Sequence, residues 1–183
     1  MKNRLDLPKI LESFKNIKIG VVGDLMLDDY IIGVVDRISP EAPVPVVNVK
    51  EERFVLGGAA NVVNNLSVLG AQTICFGVIG ADDNGDRLLR TFNEKGIDST
   101  GIIRTKDIPT IVKRRILAGN QQLLRIDWEK AEPISKELED LLLENFNSKI
   151  DSLDAIILSD YDKGVLTPRV AKEIVKICRE KNK

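Results

Sequence analysis

The sequence predicts an α/β fold in which a mostly parallel sheet is flanked by helices and carries a small β lid. Short apolar runs at 17–22, 73–79 and 154–158 alternate with segments of helical periodicity, which is the pattern of βαβ units. A proline-rich segment at 31–55 breaks this alternation, because proline confines a strand to the margin of a sheet. A turn signature at 118–120 separates two further strand-like runs and indicates a hairpin in the same lid.

The helices have recognisable starts and stops. A weak helical pattern covers 5–15, and the apolar stripe of the second helix closes at Gly70. Gly96 stops the third helix, and Thr167 with Pro168 opens the last one, as an N-cap and a first helical residue. The predicted helices after the first cover 57–69, 82–95, 135–147 and 167–181, and the remaining strands cover 101–104, 110–117 and 121–127. A parallel sheet ordinarily continues with another strand after such a helix, so we expect an unfinished unit.

Composition excludes several classes of protein. Of 183 residues, 43% are apolar, and 27 Lys and Arg against 28 Asp and Glu give a formal charge of −1. Bulk charge therefore gives no support to binding of nucleic acid or of a membrane surface. No apolar run approaches the roughly 20 residues of a membrane span, and no signal core follows the N-terminal charges, so we expect a cytoplasmic protein. Since the chain has no histidine, His-based catalysis and His-ligated zinc are excluded, and we predict no metal site.

Two carboxylates follow the first apolar run, at Asp24 and Asp28. Ligands of open α/β sheets collect outside the carboxyl ends of the strands, where a carboxylate can accept hydrogen bonds from sugar hydroxyls. The alternative is that Asp24 caps the next turn while Asp28 and Asp29 are solvated.

A glycine pair precedes the second helix, at Gly57 and Gly58, with Asn61 in the first turn. Glycine lets a backbone approach a ligand closely, and Asn61 can donate or accept a hydrogen bond in the same space. The alternative is a tight turn that needs glycine only for a positive φ.

Polar residues of the lid and of the third strand end complete the candidate set. Arg125 could clamp a phosphate, or it could pair with Asp127 or Glu129. The two-residue period of a strand predicts Gln122 on the face opposite Arg125. Asp160 and Lys163 follow the third apolar run and either meet an anionic ligand or belong to a polar loop turned by Gly164. We interpret the basic cluster at 113–115 as a solvated edge device, and the alternative is a phosphate site.

These motifs resemble a known family, the D-glycero-β-D-manno-heptose 7-phosphate kinases of the ribokinase-like (phosphofructokinase-B type) carbohydrate kinases. The resemblance covers nearly all of 14–183. It is carried by GDLMLD at 23–28, RISPEAPVPVV at 37–47, GGAANV at 57–62, NQQLLRID at 120–127 and SDYDKGVLT at 159–167. The GD and GGxxxN elements are widespread in the superfamily, whereas the second and fourth segments are specific to the heptose kinase branch.

The resemblance implies a site and a reaction. A β lid formed by 31–50 and 110–127 would close over the sugar and mediate a homodimer. ATP, with Mg²⁺, would phosphorylate the anomeric hydroxyl of heptose 7-phosphate, on the route to ADP-heptose and the lipopolysaccharide core. The implied sugar-phosphate ligands are Asp24, Asp28, Gly57, Gly58, Asn61, Gln122, Arg125, Asp160 and Lys163.

One departure from the family bears on catalysis. The family's general-base aspartate lies in a GAGD-type motif of a C-terminal, ATP-binding half, and 1–183 contains no such motif. We therefore expect no catalytic base in this chain, no useful phosphoryl transfer by the chain alone, and a separate C-terminal half as a partner. The alternatives are an inactive sugar-phosphate-binding module, a kinase for another sugar of the family, and a lid-mediated dimerisation piece.

Overall fold

The computed structural model describes residues 6–183, which form two four-stranded sheets and five α-helices. The helices are α1 (Leu7–Ser13), α2 (Ala59–Val68), α3 (Asp83–Glu94), α4 (Lys136–Lys149) and α5 (Pro168–Glu180), with 3₁₀ turns at Phe14–Asn16 and Ile150–Ser152. The strands are β1 (Lys18–Gly23), β2 (Leu25–Ile38), β3 (Pro45–Gly58), β4 (Gln72–Gly80), β5 (Asp98–Thr105), β6 (Ile111–Ala118), β7 (Gln121–Trp128) and β8 (Ala155–Ser159). Within residues 6–183, no helix combines the length and apolar character needed to cross a bilayer.

The first sheet, here called the core sheet, has the strand order β5-β4-β1-β8 and is parallel throughout. Successive residues point to opposite faces. Val21 packs with Phe92 of α3 in one apolar cluster, and Val22 packs with Phe146 of α4 in another. Helices α2 and α3 therefore cover one face, while α4 and α5 cover the other. The predicted βαβ alternation is confirmed.

The second sheet, here called the lid, has the strand order β3-β2-β6-β7. Its long β2–β3 hairpin is antiparallel, β6 runs parallel to β2, and β7 returns antiparallel to β6 through a turn at Gly119. The lid strands extend beyond the predicted segments 31–50 and 110–127. The first residues of β2 and the last residues of β3 are buried in the core. Their sequence therefore resembles that of core strands, and for that reason the predicted lid segments do not include them.

The predicted starts of α3, α4 and α5 are confirmed by their caps. The side chain of Asp82 accepts a hydrogen bond from Gly85 N at 2.8 Å, that of Ser135 from Leu138 N at 3.4 Å and that of Thr167 from Val170 N at 3.1 Å. Two predictions differ. Helix α1 is shorter than the segment 5–15, whose first residue lies outside the described residues. Strand β8, predicted as buried, is largely half-buried because β1 is its one paired neighbour among residues 6–183.

Candidate functional site

The site begins at the carboxyl end of β1, where Asp24 is fully buried. Its carboxylate accepts three backbone hydrogen bonds from the loop after β8: from Tyr161 N at 2.9 Å, Lys163 N at 3.2 Å and Val165 N at 3.1 Å. An ionised carboxylate is a strong acceptor for such donors. Asp24 therefore fixes the loop that follows β8 against β1, and it does not cap the next turn. A direct contact between Asp24 and a sugar stays a prediction.

The glycine pair lies where β3 passes into α2. Gly57 and Gly58 are the last two residues of β3, and Gly58 is also the N-cap of α2, with φ +55°. A Cβ on Gly57 would stand 2.6 Å from Asp28 Oδ2, and one on Gly58 would stand 2.5 Å from the Asp24 carbonyl oxygen. The positive φ of Gly58 and the protein atoms close to both positions therefore require glycine here, while close approach of this backbone to a ligand stays a prediction. The helix begins at Ala59 and not at Gly57 as predicted, and Asn61 is exposed in its first turn.

Asp28 lies on β2 beside Lys113 of β6 and is half-buried. The guanidinium of Arg115 donates a hydrogen bond to its Oδ1. Its sequence neighbour Asp29 points to the opposite face, where it is fully buried and accepts a hydrogen bond of 2.5 Å from Arg114 Nε. The alternative in which both carboxylates are solvated is therefore wrong. We call the lid face that carries Asp28, Lys113 and Arg115 the inner face.

A chain of ion pairs connects the inner face to the core. Lys163, from the loop after β8, donates to Glu129 at 2.8 Å, and Lys113 of the lid donates to the same carboxylate at 3.3 Å. The bond to Lys163, opposed by partial burial and supported by the charge of Lys113, holds the pKa of Glu129 below its usual range. The bond to Glu129 in turn raises the pKa of Lys163. The inner face therefore looks toward the strand ends of the core sheet.

The lid residues Gln122 and Arg125 share the inner face because of a β-bulge. Arg115 pairs with Arg125 and Leu117 pairs with Gln122, so three steps along β7 match two along β6. Paired residues lie side by side on one face of a sheet. The two-residue period, which predicts Gln122 opposite Arg125, is therefore wrong here. The observed partner of Arg125 is Asp127, whose Oδ1 lies 2.9 Å from Arg125 Nε.

The two remaining candidates, Asp160 and Lys163, lie in the same loop but differ in their contacts. Lys163 reaches the lid, whereas Asp160 is exposed and accepts a hydrogen bond from Asp162 N at 2.8 Å in a local turn. The loop is fixed at Gly164, which has φ +98° and whose added Cβ would stand 1.9 Å from the carbonyl oxygen of Glu132. Only glycine fits this position, so the loop that carries Lys163 has one path.

Sequence reasoning missed three contributors to the site: Lys113, Arg115 and Glu129. The cluster at 113–115 is not a solvated edge device, since β6 lies between β2 and β7 and all three side chains are paired with carboxylates. Its period-two spacing places Lys113 and Arg115 on one face, and that signal could have indicated their common role. The sequence does not show which strands lie beside β6, and therefore does not show which carboxylates pair with this cluster.

The remaining side-chain chemistry lies away from this site. In the described part of the chain, no group of three or more His, Cys, Asp or Glu side chains is arranged to hold a metal ion. Both cysteines are free, and burial raises the pKa of the Cys75 and Cys178 thiols. Neither thiol is activated for nucleophilic chemistry.

A buried carboxylate at the carboxyl end of the core sheet, beside a glycine pair at the base of a charged β lid, fits the class of carbohydrate kinases. The model of the pfkB family of carbohydrate kinases matches residues 16–183, and the chain belongs to that family. It is similar to "Bifunctional protein HldE" of Wolinella succinogenes, with 51% identity over 170 residues, 93% of this chain and 36% of that protein. The protein of the same name from Helicobacter pylori (strain J99) is 44% identical over 166 residues, 91% of this chain and 36% of that protein. The chain thus spans about a third of the length of these relatives.

Solved structures show the same fold. A carbohydrate kinase from Agrobacterium tumefaciens superposes with a TM-score of 0.67 at 19% identity, covering 91% of this chain and 52% of that one. Ribokinase from Giardia lamblia gives a TM-score of 0.62 at 16% identity, covering 91% and 51%. These likenesses confirm the predicted ribokinase-like α/β class.

Proposed function

We propose that this chain forms the sugar-phosphate-binding part of a kinase for D-glycero-D-manno-heptose 7-phosphate. The carrying observation is the inner face of the lid, where Asp28 lies beside Gly57 and next to the cations Lys113 and Arg115. Carboxylates accept hydrogen bonds from hydroxyls, and guanidinium groups bind phosphates. The face thus offers both chemistries that a sugar phosphate requires. The similarity to the two HldE proteins and the membership of the pfkB family support the choice of substrate class.

The proposed binding mode assigns a part to each element. Asp28 accepts hydrogen bonds from sugar hydroxyls, while Gly57 and Gly58 let the β3–α2 backbone come close to the ring. Asn61, exposed in the first turn of α2, supplies a donor or acceptor at the same end. Asp24 holds the loop that carries Asp160 and Lys163, and the cations of the lid meet the phosphate.

The donor is proposed from the family alone. ATP, with Mg²⁺ accompanying its phosphates, would transfer its γ-phosphoryl to the anomeric hydroxyl, giving a 1,7-bisphosphate for ADP-heptose synthesis. Phosphoryl transfer depends on positioning and on charge stabilisation around the transferring group. The described residues would position the sugar for this transfer. Assayed alone, the printed 183 residues are therefore expected to bind the sugar phosphate without phosphorylating it. A cytoplasmic location and a lid-mediated homodimer remain part of the proposal.

Calorimetric titration of the 183-residue chain with heptose 7-phosphate, fructose 6-phosphate and ribose tests this function. We expect saturable binding that is strongest for heptose 7-phosphate. Asp28→Asn should weaken that binding about tenfold or more, because a charged acceptor is lost. The matched control is Asp36→Asn, on the same strand but exposed and remote from the site. Equal binding of all three sugars, or no binding by a chain that melts cooperatively, would contradict the proposal.

A further inference from the structure

The lid consists of two hairpins that meet along one parallel ladder. Strands β2 and β3 form the first hairpin, and β6 and β7 form the second. Strand β2 pairs with β6 from Met26 beside Ile111 to Gly33 beside Ala118. The register of a hairpin is set by its turn, but β3, α2, β4, α3 and β5 separate β2 from β6 in the chain. The alignment of one hairpin with the other therefore depends on contacts between side chains.

The face of the lid opposite the inner face, here called the outer face, carries apolar pairs along this ladder with one exception. Leu27 lies beside Val112, both buried in the core, and four residues further along each strand two isoleucines pair. Between these apolar rows, Asp29 lies directly beside Arg114. Apolar rows alone would accept a shift of two residues, because such a shift returns every side chain to its own face.

The ion pair on the outer face does not accept that shift. Asp29 is fully buried, its Oδ2 accepts the hydrogen bond of 2.5 Å from Arg114 Nε, and its Oδ1 has no hydrogen-bond partner within residues 6–183. Its charge is therefore balanced by Arg114 alone. A shift of two residues would place Asp29 beside an apolar residue of β6 and leave a buried charge unpaired, which is strongly destabilising.

Arg114 also contacts the two remaining strands of the lid. Its Nη2 lies 3.8 Å from Glu52 Oε1 of β3, and its Cζ lies 5.1 Å from the ring centroid of Trp128 of β7. The second distance is within the range of cation–π attraction. One guanidinium on β6 thus meets a residue of each other lid strand, and all of these contacts belong to a single register.

The same register assembles the inner face. Asp28 and Gly57 belong to the first hairpin, whereas Lys113 and Arg115 belong to the second. A shift of two residues would move Arg115 by about 6.6 Å relative to Asp28, at the rise of parallel strands. The inner pair of Asp28 and Arg115 cannot by itself keep the alignment while a ligand uses both groups.

We propose that Asp29 and Arg114 are positioning residues that hold the two hairpins in the one register in which the inner face binds its ligand. The ligand's identity in this inference rests on the proposed function. Neither residue touches the ligand, because both lie on the outer face. A buried ion pair is commonly no more stabilising than well-packed apolar residues of similar volume, and its best-attested use is to specify register.

The test replaces the outer pair with apolar side chains in the 183-residue chain. Asp29→Leu combined with Arg114→Met removes both charges, so no buried charge is left unpaired. The start of β6 stays anchored, because Thr110 donates to the carboxylate of Asp82 from its N at 2.9 Å and from its Oγ1 at 2.7 Å. We expect a melting temperature equal to or above that of the wild type. Calorimetric titration should nevertheless show binding of heptose 7-phosphate weakened about tenfold or more, because contacts from the second hairpin are misplaced.

The matched control is the partly exposed ion pair between Arg104 of β5 and Asp86 of α3, which are 2.6 Å apart. Asp86→Leu combined with Arg104→Met makes the same two substitutions there and should leave binding near the wild-type value. Nuclear Overhauser contacts between β2 and β6 report the register directly. They should show Tyr30 beside Arg115 in the wild type, and a second register in the variant that lacks the outer pair.

The possible results separate this inference from the proposed function. If the variant without the outer pair keeps one register, or binds heptose 7-phosphate as tightly as the wild type, the positioning role is overturned while the proposed function stands. Equal weakening in both double variants would also overturn it. If the folded wild type binds no sugar phosphate, the proposed function fails, and the register contacts alone then decide whether the pair aligns the hairpins. Should the apolar pair prevent folding, Asp29→Asn combined with Arg114→Gln removes the charges with less change of shape and is judged by the same contacts.

Discussion

The core sheet and the lid of this protein have the same number of strands, but the first is buried and apolar whereas the second carries charged side chains. The core strands are 5–9 residues long, parallel, and covered by helices on both faces. The lid strands are 8–14 residues long, mostly exposed or half-buried, and crossed on the inner face by charged side chains. Burial of apolar groups stabilises the first sheet, whereas ladder hydrogen bonds and ion pairs hold the second. The core sheet thus supplies most of the stability, and the lid carries the residues of the proposed ligand site.

The largest expected difference in stability is between two Leu→Ala substitutions, one against the core sheet and one in the lid. Leu142 of α4 is fully buried against the core sheet, and Leu124 of the lid is 52% exposed. Leu142→Ala should lower the free energy of unfolding by about 2–5 kcal/mol, because it leaves a cavity in a packed core. Leu124→Ala should lower it by less than about 1 kcal/mol. Urea denaturation followed by circular dichroism measures both, and equal losses would contradict the division.

A second pair of variants compares carboxylates. Asp24→Asn keeps the shape of a buried side chain but replaces an oxygen that accepts backbone N–H groups with an NH₂ donor, so we expect a loss of about 3 kcal/mol of stability. Asp28→Asn, in the lid, should cost less than about 1 kcal/mol and yet weaken binding of the sugar phosphate. Denaturation and titration of both variants give the comparison. It would be broken if Asp28→Asn proved the more destabilising of the two.

The smallest expected effect concerns the bridge between the sheets, from Lys163 to Glu129. Glu129→Gln should cost about 1 kcal/mol near pH 7, because the pair is partly exposed. The pKa of Glu129 is lowered from its ordinary value of 4.5 in the folded chain, chiefly by the hydrogen bond from Lys163. This contribution is therefore complete above that value and is lost as the pH falls through the lower folded pKa.

The measurement for this bridge is the stability difference between wild type and Glu129→Gln as a function of pH. The difference should be constant from about pH 6 to 9 and should shrink below about pH 4. Lys113 also pairs with Glu129, at 3.3 Å, and with Asp127, at 3.4 Å. A difference that persists undiminished at pH 3 would mean that Glu129 acts through packing and not through its charge.

The same division explains what could be predicted from the sequence. Apolar periodicity and capping residues such as Thr167 located the core strands and helices, because burial and helix ends leave local signals. The lid depends on which strands become neighbours, and no local signal reports that. The bulge that brings Gln122 to the face of Arg125 and the pairing of Arg115 with Asp28 are both consequences of register. The burial of Asp24 by amides of a distant loop was likewise invisible.

The contact between Asp24 and the loop at 161–165 also fixes the order in which the protein can be built during translation. The donors of this carboxylate lie 137–141 residues later in the chain. At about 5–20 residues per second, a ribosome needs on the order of ten seconds to synthesise them. Until then β1 lacks its neighbour β8, and the carboxylate of Asp24 remains hydrated. The proposed sugar-binding site and the pairing of β8 with β1 therefore form in one late event, and a nascent chain arrested before residue 161 is expected to remain open to proteases.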